Sequence, residues 1–131
     1  ALPLLAALAP RLRLDPGLDL SGIARDPVAL ADYLDDPRLQ LGKITPALAR
    51  ATLDGIERVM RRADDIATPL LLMHGLADRI VPPDGTIALA AIAGARDKTL
   101  LTYPGAYHHL LLDDVRGQVT SDVLAWLGAR C

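Results

Sequence analysis

Apolar residues fall along this chain in two different rhythms, and the change comes near Thr68-Pro69. Before it, they recur at helical spacing between strong breakers. Leu2 through Ala9 is a short apolar run ended by Pro10, which predicts a helix over residues 2–9. Asp26-Pro27 sets a capping side chain before a proline at the first helical position, so a helix opens there and runs to about Leu34. Thr45-Pro46 repeats the signal and opens the longest predicted helix, to about Arg62. Its Leu48, Thr52, Ile56, Val59 and Met60 share one mostly apolar face. Arg11 to Arg25, with Pro16, Gly17 and Gly22, reads as loop, and nothing in residues 1–67 reads as a convincing strand.

After Thr68 the runs shorten. Leu70–Met73 is strand or helix by periodicity alone, but its length and its bounds, Pro69 and Gly75, favour a strand buried on both faces. Residues 84–93 predict a helix, and Thr99–Tyr103 a second strand. Asp114–Leu127 predicts a final helix, in which Val115, Val119, Val123 and Leu127 recur every four residues beside Trp126. The class is therefore α/β: helices first, then β-α-β-α with parallel strands joined by a right-handed crossover.

That geometry brings chemistry with it. Residues just past the C-terminal ends of parallel strands share one sheet edge, where ligands of open α/β sheets collect, and adjacent strands lie about 4.8 Å apart. Asp78 follows the first strand and His108 the second, so the two can meet although 30 residues separate them. An acid and then a histidine, each beyond a strand, is the back half of a serine-hydrolase triad in nucleophile–acid–base order. The histidine would take the nucleophile's proton and return it to the leaving group. The carboxylate would hold the imidazole tautomer and stabilise the imidazolium. His109 is the nearest competitor as base. His74, just before the Gly75 turn, is expected to make a local structural contact. Taken singly, Asp78 reads as turn chemistry and His108 as a loop residue; the pairing of the two positions is what favours catalysis.

The nucleophile is the missing piece. No G-x-S-x-G occurs in the 131 residues, and neither serine present, Ser21 in the loop region or Ser121 inside the last helix, stands on a strand–helix elbow. The chain is thus expected to be the C-terminal part of an enzyme.

Composition narrows the partners. A net charge of −2 with acids and bases interspersed gives no footprint for nucleic acid and no polybasic membrane patch. The 51% hydrophobic content suffices for one sizeable core, built from Leu, Ala, Val and Ile because Phe is absent and Trp126 is the sole tryptophan. One cysteine, Cys131, forms no internal disulfide and fits a reducing compartment. The opening apolar segment has no basic residues before it and is not read as a signal peptide, and no stretch nears the roughly 20 apolar residues of a membrane span. A cytoplasmic location is expected.

Residues 69–83, Pro-Leu-Leu-Leu-Met-His-Gly-Leu-Ala-Asp-Arg-Ile-Val-Pro-Pro, resemble the acid motif of α/β-hydrolases of the monoacylglycerol lipase, lysophospholipase and serine aminopeptidase S33-like group. Asp97-Lys98-Thr99-Leu100 followed by Tyr103-Pro-Gly-Ala-Tyr-His-His-Leu resembles the same group's histidine motif, which puts the base on His108. Trp126-Leu127 matches the final helix, Asp113 stands at a family acid with a structural role, and Arg25-Asp26-Pro27 and Asp36-Pro37 resemble cap positions. The resemblance implies the C-terminal part of an α/β-hydrolase fold, with residues 1–67 as helical cap and 68–131 as the part of the core carrying acid and base. The family's first strands, oxyanion-loop His-Gly motif and nucleophile elbow have no counterpart here.

By resemblance the parent cleaves carboxylic esters of monoacylglycerol or lysophospholipid type through an acyl-enzyme, with no metal and no cofactor. Its partners would be a small lipid or ester substrate, a transient membrane-surface contact through the cap, and the missing N-terminal half of the fold. Leu4, Leu5, Leu8, Tyr33, Leu34, Val59 and Met60 are candidates to line an acyl pocket, although each taken singly is expected to pack cap on core. Arg58, Arg61 and Arg62 read as a solvated helix end complementing the dipole, with a lipid-facing role as the alternative. Rival readings are a relative acting as aminopeptidase, lactonase or dehalogenase, and a non-catalytic truncated module.

Overall fold

The computed structural model describes residues 2–39 and 42–130; Cys131 and Ala1 lie outside them. Helix α1 (Leu2–Leu8) packs on α3 (Pro46–Arg61), and α2 (Pro27–Leu34) lies between them in sequence. The predicted caps form: the Asp26 carboxylate accepts from the backbone N–H of Val28 and Ala29, and the Thr45 hydroxyl from that of Leu48. Each satisfies amides that a helix start leaves unpaired. Strand β1 (Leu70–Gly75), α4 (Asp84–Ile92), β2 (Lys98–Tyr103) and α5 (Arg116–Gly128) follow in the expected order. The two strands pair in parallel, from Leu70 beside Lys98 to Gly75 beside Tyr103.

Several expectations change. The predicted loop contains a 3-10 turn at Leu20–Gly22, capped by Asp19, and a bridge pairs Leu14 with Ile44, so residues before 67 are not free of β-pairing. The last helix starts at Arg116 rather than Asp114, because the Asp113 side chain is turned away to bind Arg25. β1 is not buried on both faces: Leu70 to His74 are only partly covered, since among the described residues β1 has one strand neighbour. Leucine does not build the centre either. Among the described residues the buried apolar side chains are Ile23, Pro46, Tyr103, Val119 and six alanines, among them Ala63 and Ala106, and every leucine stays at least partly open.

The core at the site end is Tyr103, Ala106 and Val119, with Met73, Leu101, Leu110 and Val115 packed against it. At the other end Trp126 donates to the Thr99 hydroxyl at 3.1 Å, while Arg130 stacks on the indole and binds Asp97. These contacts hold α5 along β2 and fix where β2 begins. Among the described residues no helix is long and apolar enough to cross a membrane.

Candidate active site

Both strands end at one edge, and the turns beyond them are locked together. After Gly75 the chain reverses, with Leu76 N–H donating to Tyr103 O and Ala77 N–H to Ala106 O, each near 3 Å. The closeness requires glycine, because a Cβ on Gly75 would collide with the backbone oxygens of Ala106 and Tyr107. Gly105 takes a positive φ of 74°, which lets the second turn fold back toward the first.

Asp78 and His108 meet there. His108 Nδ1 lies 2.8 Å from Asp78 Oδ2. The other carboxylate oxygen accepts from the backbone N–H groups of Ile80 and Val81, at 2.8 and 2.9 Å. Burial would push this carboxyl's pKa up, yet the Val81 amide, His108 and the Ile80 amide outweigh it and hold the group below the ordinary carboxylate value. Asp78 is therefore an acceptor only, so His108 Nδ1 carries a hydrogen, which in the neutral ring leaves the lone pair on Nε2. The Asp78 side chain is 1% exposed and that of His108 39%, which puts the carboxylate behind and the imidazole in front.

His74 contacts more than its own turn. Nε2 lies 3.1 Å from Asp78 Oδ2 and 2.9 Å from Val81 O, and Nδ1 lies 2.7 Å from the Thr86 hydroxyl. His109, the rival base, packs edge-on against Tyr33 at 5.6 Å, and its backbone N–H donates to Ile23 O. Ser21 binds Asp19 and Arg79 rather than either catalytic candidate, and Ser121 is an exposed residue of α5.

A second polar cluster joins Arg25, just before α2, to the histidine turn. Asp113 is fully buried and accepts from Arg25 Nε and Nη2, at 2.8 and 2.6 Å, and from the backbone N–H of both Arg25 and Tyr107. Burial alone would raise its pKa; Arg25 and these amides outweigh that and lower it. His108 N–H also donates to Gly22 O. Asp113 is thus a structural acid, and Arg25 is the partner that sequence reading placed only by resemblance.

The predicted pocket residues divide. Tyr33 packs toward the histidine turn, but Leu4, Leu8, Leu34 and Val59 are 65, 76, 38 and 47% exposed, so these four do not pack cap on core as expected. At the end of α3, Arg61 pairs with Glu57 and Arg62 with Asp65, both in solvent. An apolar hollow of about 310 Å³ opens beside His108, lined by Met73, His109, Leu110, Leu111, Val119 and Val123. Among the described residues no three His, Cys, Asp or Glu side chains are grouped to hold a metal ion.

Known proteins resemble the chain along nearly its whole length. The family model described as serine aminopeptidase, S33, matches residues 1–115. Monoacylglycerol lipase of Mycolicibacterium smegmatis is 34% identical over 95% of this chain and 47% of its own length. Human monoglyceride lipase is 31% identical over 99% and 43%. The crystal structure of Paleococcus ferrophilus monoacylglycerol lipase superposes with a TM-score of 0.90 at 32% identity, covering 99% of this chain and 51% of that one. A soluble variant of monoglyceride lipase from Saccharomyces cerevisiae, solved with a substrate analog, gives 0.82 at 29% identity, covering 99% and 48%. The chain spans about half the length of the curated relatives it matches, and its elements correspond to a C-terminal part of the α/β-hydrolase fold.

Proposed function

The chain belongs to the serine aminopeptidase S33 family of α/β-hydrolases, and on that premise we propose that it supplies the acid, the base and the cap of a serine hydrolase. The substrates would be carboxylic esters of monoacylglycerol or lysophospholipid type. Residues 1–67 act as the cap and 68–131 as the core segment bearing acid and base. The observation that carries the reading is the 2.8 Å contact of His108 Nδ1 with a buried Asp78 carboxylate.

In this reading a serine on a partner segment of the same fold attacks the ester carbonyl while His108 Nε2 takes its proton. Asp78 stabilises the imidazolium. The proton then passes to the departing alcohol, and water bound by the same nitrogen releases the acyl group. Ester rather than amide cleavage is favoured because the matched relatives include monoglyceride lipases from several organisms.

Asp78→Asn and His108→Ala, each made in the complete polypeptide that carries this chain, are expected to lower kcat on a monoacylglycerol by about a thousandfold or more. Circular dichroism of the variants should match the parent. Near-normal turnover in either variant would overturn the assignment.

A further inference from the structure

Asp78 Oδ2 receives two imidazoles, and the mechanism above uses one of them. The second arrives by strand alternation. Met73 packs into the Tyr103–Val119 core on the α5 side of β1, so His74, the next residue, projects to the opposite face, where it meets Thr86 in the first turn of α4. Which nitrogen bears the hydrogen in the neutral ring follows from its partners. Val81 O and an ionised Asp78 can only accept, so Nε2 carries the hydrogen and shares it between them; the Thr86 hydroxyl can donate, and it fills the lone pair on Nδ1. Every polar atom of the ring is satisfied in a single tautomer, and the side chain is only 12% exposed.

Resting on the acid–base reading above, we infer that His74 is a positioning residue of the acid–base pair: its Nε2–H pins the Asp78 oxygen that holds the base. The backbone amides of Ile80 and Val81 hold only Oδ1. They leave the carboxylate free to swing about the bonds that lead to Oδ2. His74 removes that freedom, so His108 meets its partner at one place, and Nε2 of the base is aimed before substrate arrives. Thr86 holds His74 in turn, which makes a relay from α4 through β1 to the base. Fixing an orientation in this way should act on the chemical step rather than on binding.

The test uses the complete polypeptide and a soluble short-chain ester, p-nitrophenyl butyrate. His74→Leu keeps bulk and removes the donor. It should lower kcat by about tenfold or more while KM stays within about twofold, the usual size of effect for a partner behind a functional histidine. His74→Gln restores both hydrogen-bonding roles, its amide N–H groups facing Asp78 and Val81 and its oxygen facing Thr86. It should recover kcat to within about threefold of the parent. Thr86→Val tests the relay without touching the histidine and should lower kcat by a smaller factor, again at constant KM; it serves if His74→Leu fails to fold. Parental kcat in both His74→Leu and Thr86→Val, or a His74→Gln enzyme as impaired as His74→Leu, would overturn the inference. Turnover surviving in Asp78→Asn under the same assay would instead overturn the reading on which it rests.

Discussion

Tyr103 ends β2 almost wholly buried, with its hydroxyl donating to Asp122 at 3.0 Å. Burial, reinforced by that carboxylate, pushes its pKa up to about 12. A tyrosine whose folded value exceeds its unfolded value, about 10, stabilises the fold fully below that lower value and ceases to do so as pH climbs through the upper one. Asp78 and Asp113 behave oppositely. Their folded values lie below the unfolded one, so their stabilisation is present above pH of about 4 and disappears as pH falls through the folded values. Thermal unfolding midpoints should therefore fall at both ends of the range. Tyr103→Phe should flatten the alkaline limb relative to the parent, and Asp113→Asn the acid limb. Unchanged limbs in both variants would show that these groups do not set them. At this scale the meeting of Asp78 and His108 was legible in the sequence, because each follows an apolar run that ends in a turn. The sharing of Asp78 by His74 was not, since the register that turns His74 toward α4 is fixed only once β1 pairs with β2.

Among the elements, β1 and its turn show how little room the site has. Gly75→Ala forces the Ala106–Tyr107 backbone away from the strand end. The expected cost is about 1–3 kcal/mol of stability, as for other overpacked positions. Because the displaced backbone carries His108, kcat should fall further than the stability loss alone explains; unfolding curves and initial rates measured on one preparation separate the two effects. Caps at Asp26 and Thr45 announced their helices from sequence because the signal is local: a short oxygen-bearing side chain followed by proline. The Leu20–Gly22 turn and the Leu14–Ile44 bridge gave no such signal. Three residues are too few for a period, and a single bridge joins positions thirty apart with no apolar run at either end.

The whole molecule exposes 8763 Å², whereas a folded 14.0 kDa monomer is expected to expose about 6,700 Å². The excess, on the order of 2,000 Å², is comparable to a stable protein interface. It fits a sheet that, among the described residues, has two strands with outer edges unpaired, and leucines and isoleucines left in solvent. The chain produced by itself is expected to oligomerise or aggregate through this exposed surface. Sedimentation velocity checks this, and a cooperative, monodisperse monomer would contradict it. Sequence reading placed the strands and leucines inside, because hydrophobicity records what a residue prefers to face and not whether a neighbour is present. The links between residues 22–25 and the histidine turn carry one more consequence. They mark a seam between the helices of residues 27–61 and the histidine turn. Exchanging the segment from Pro27 to Arg61 leaves the moorings of the base intact, whereas an exchange beginning at Leu20 severs them.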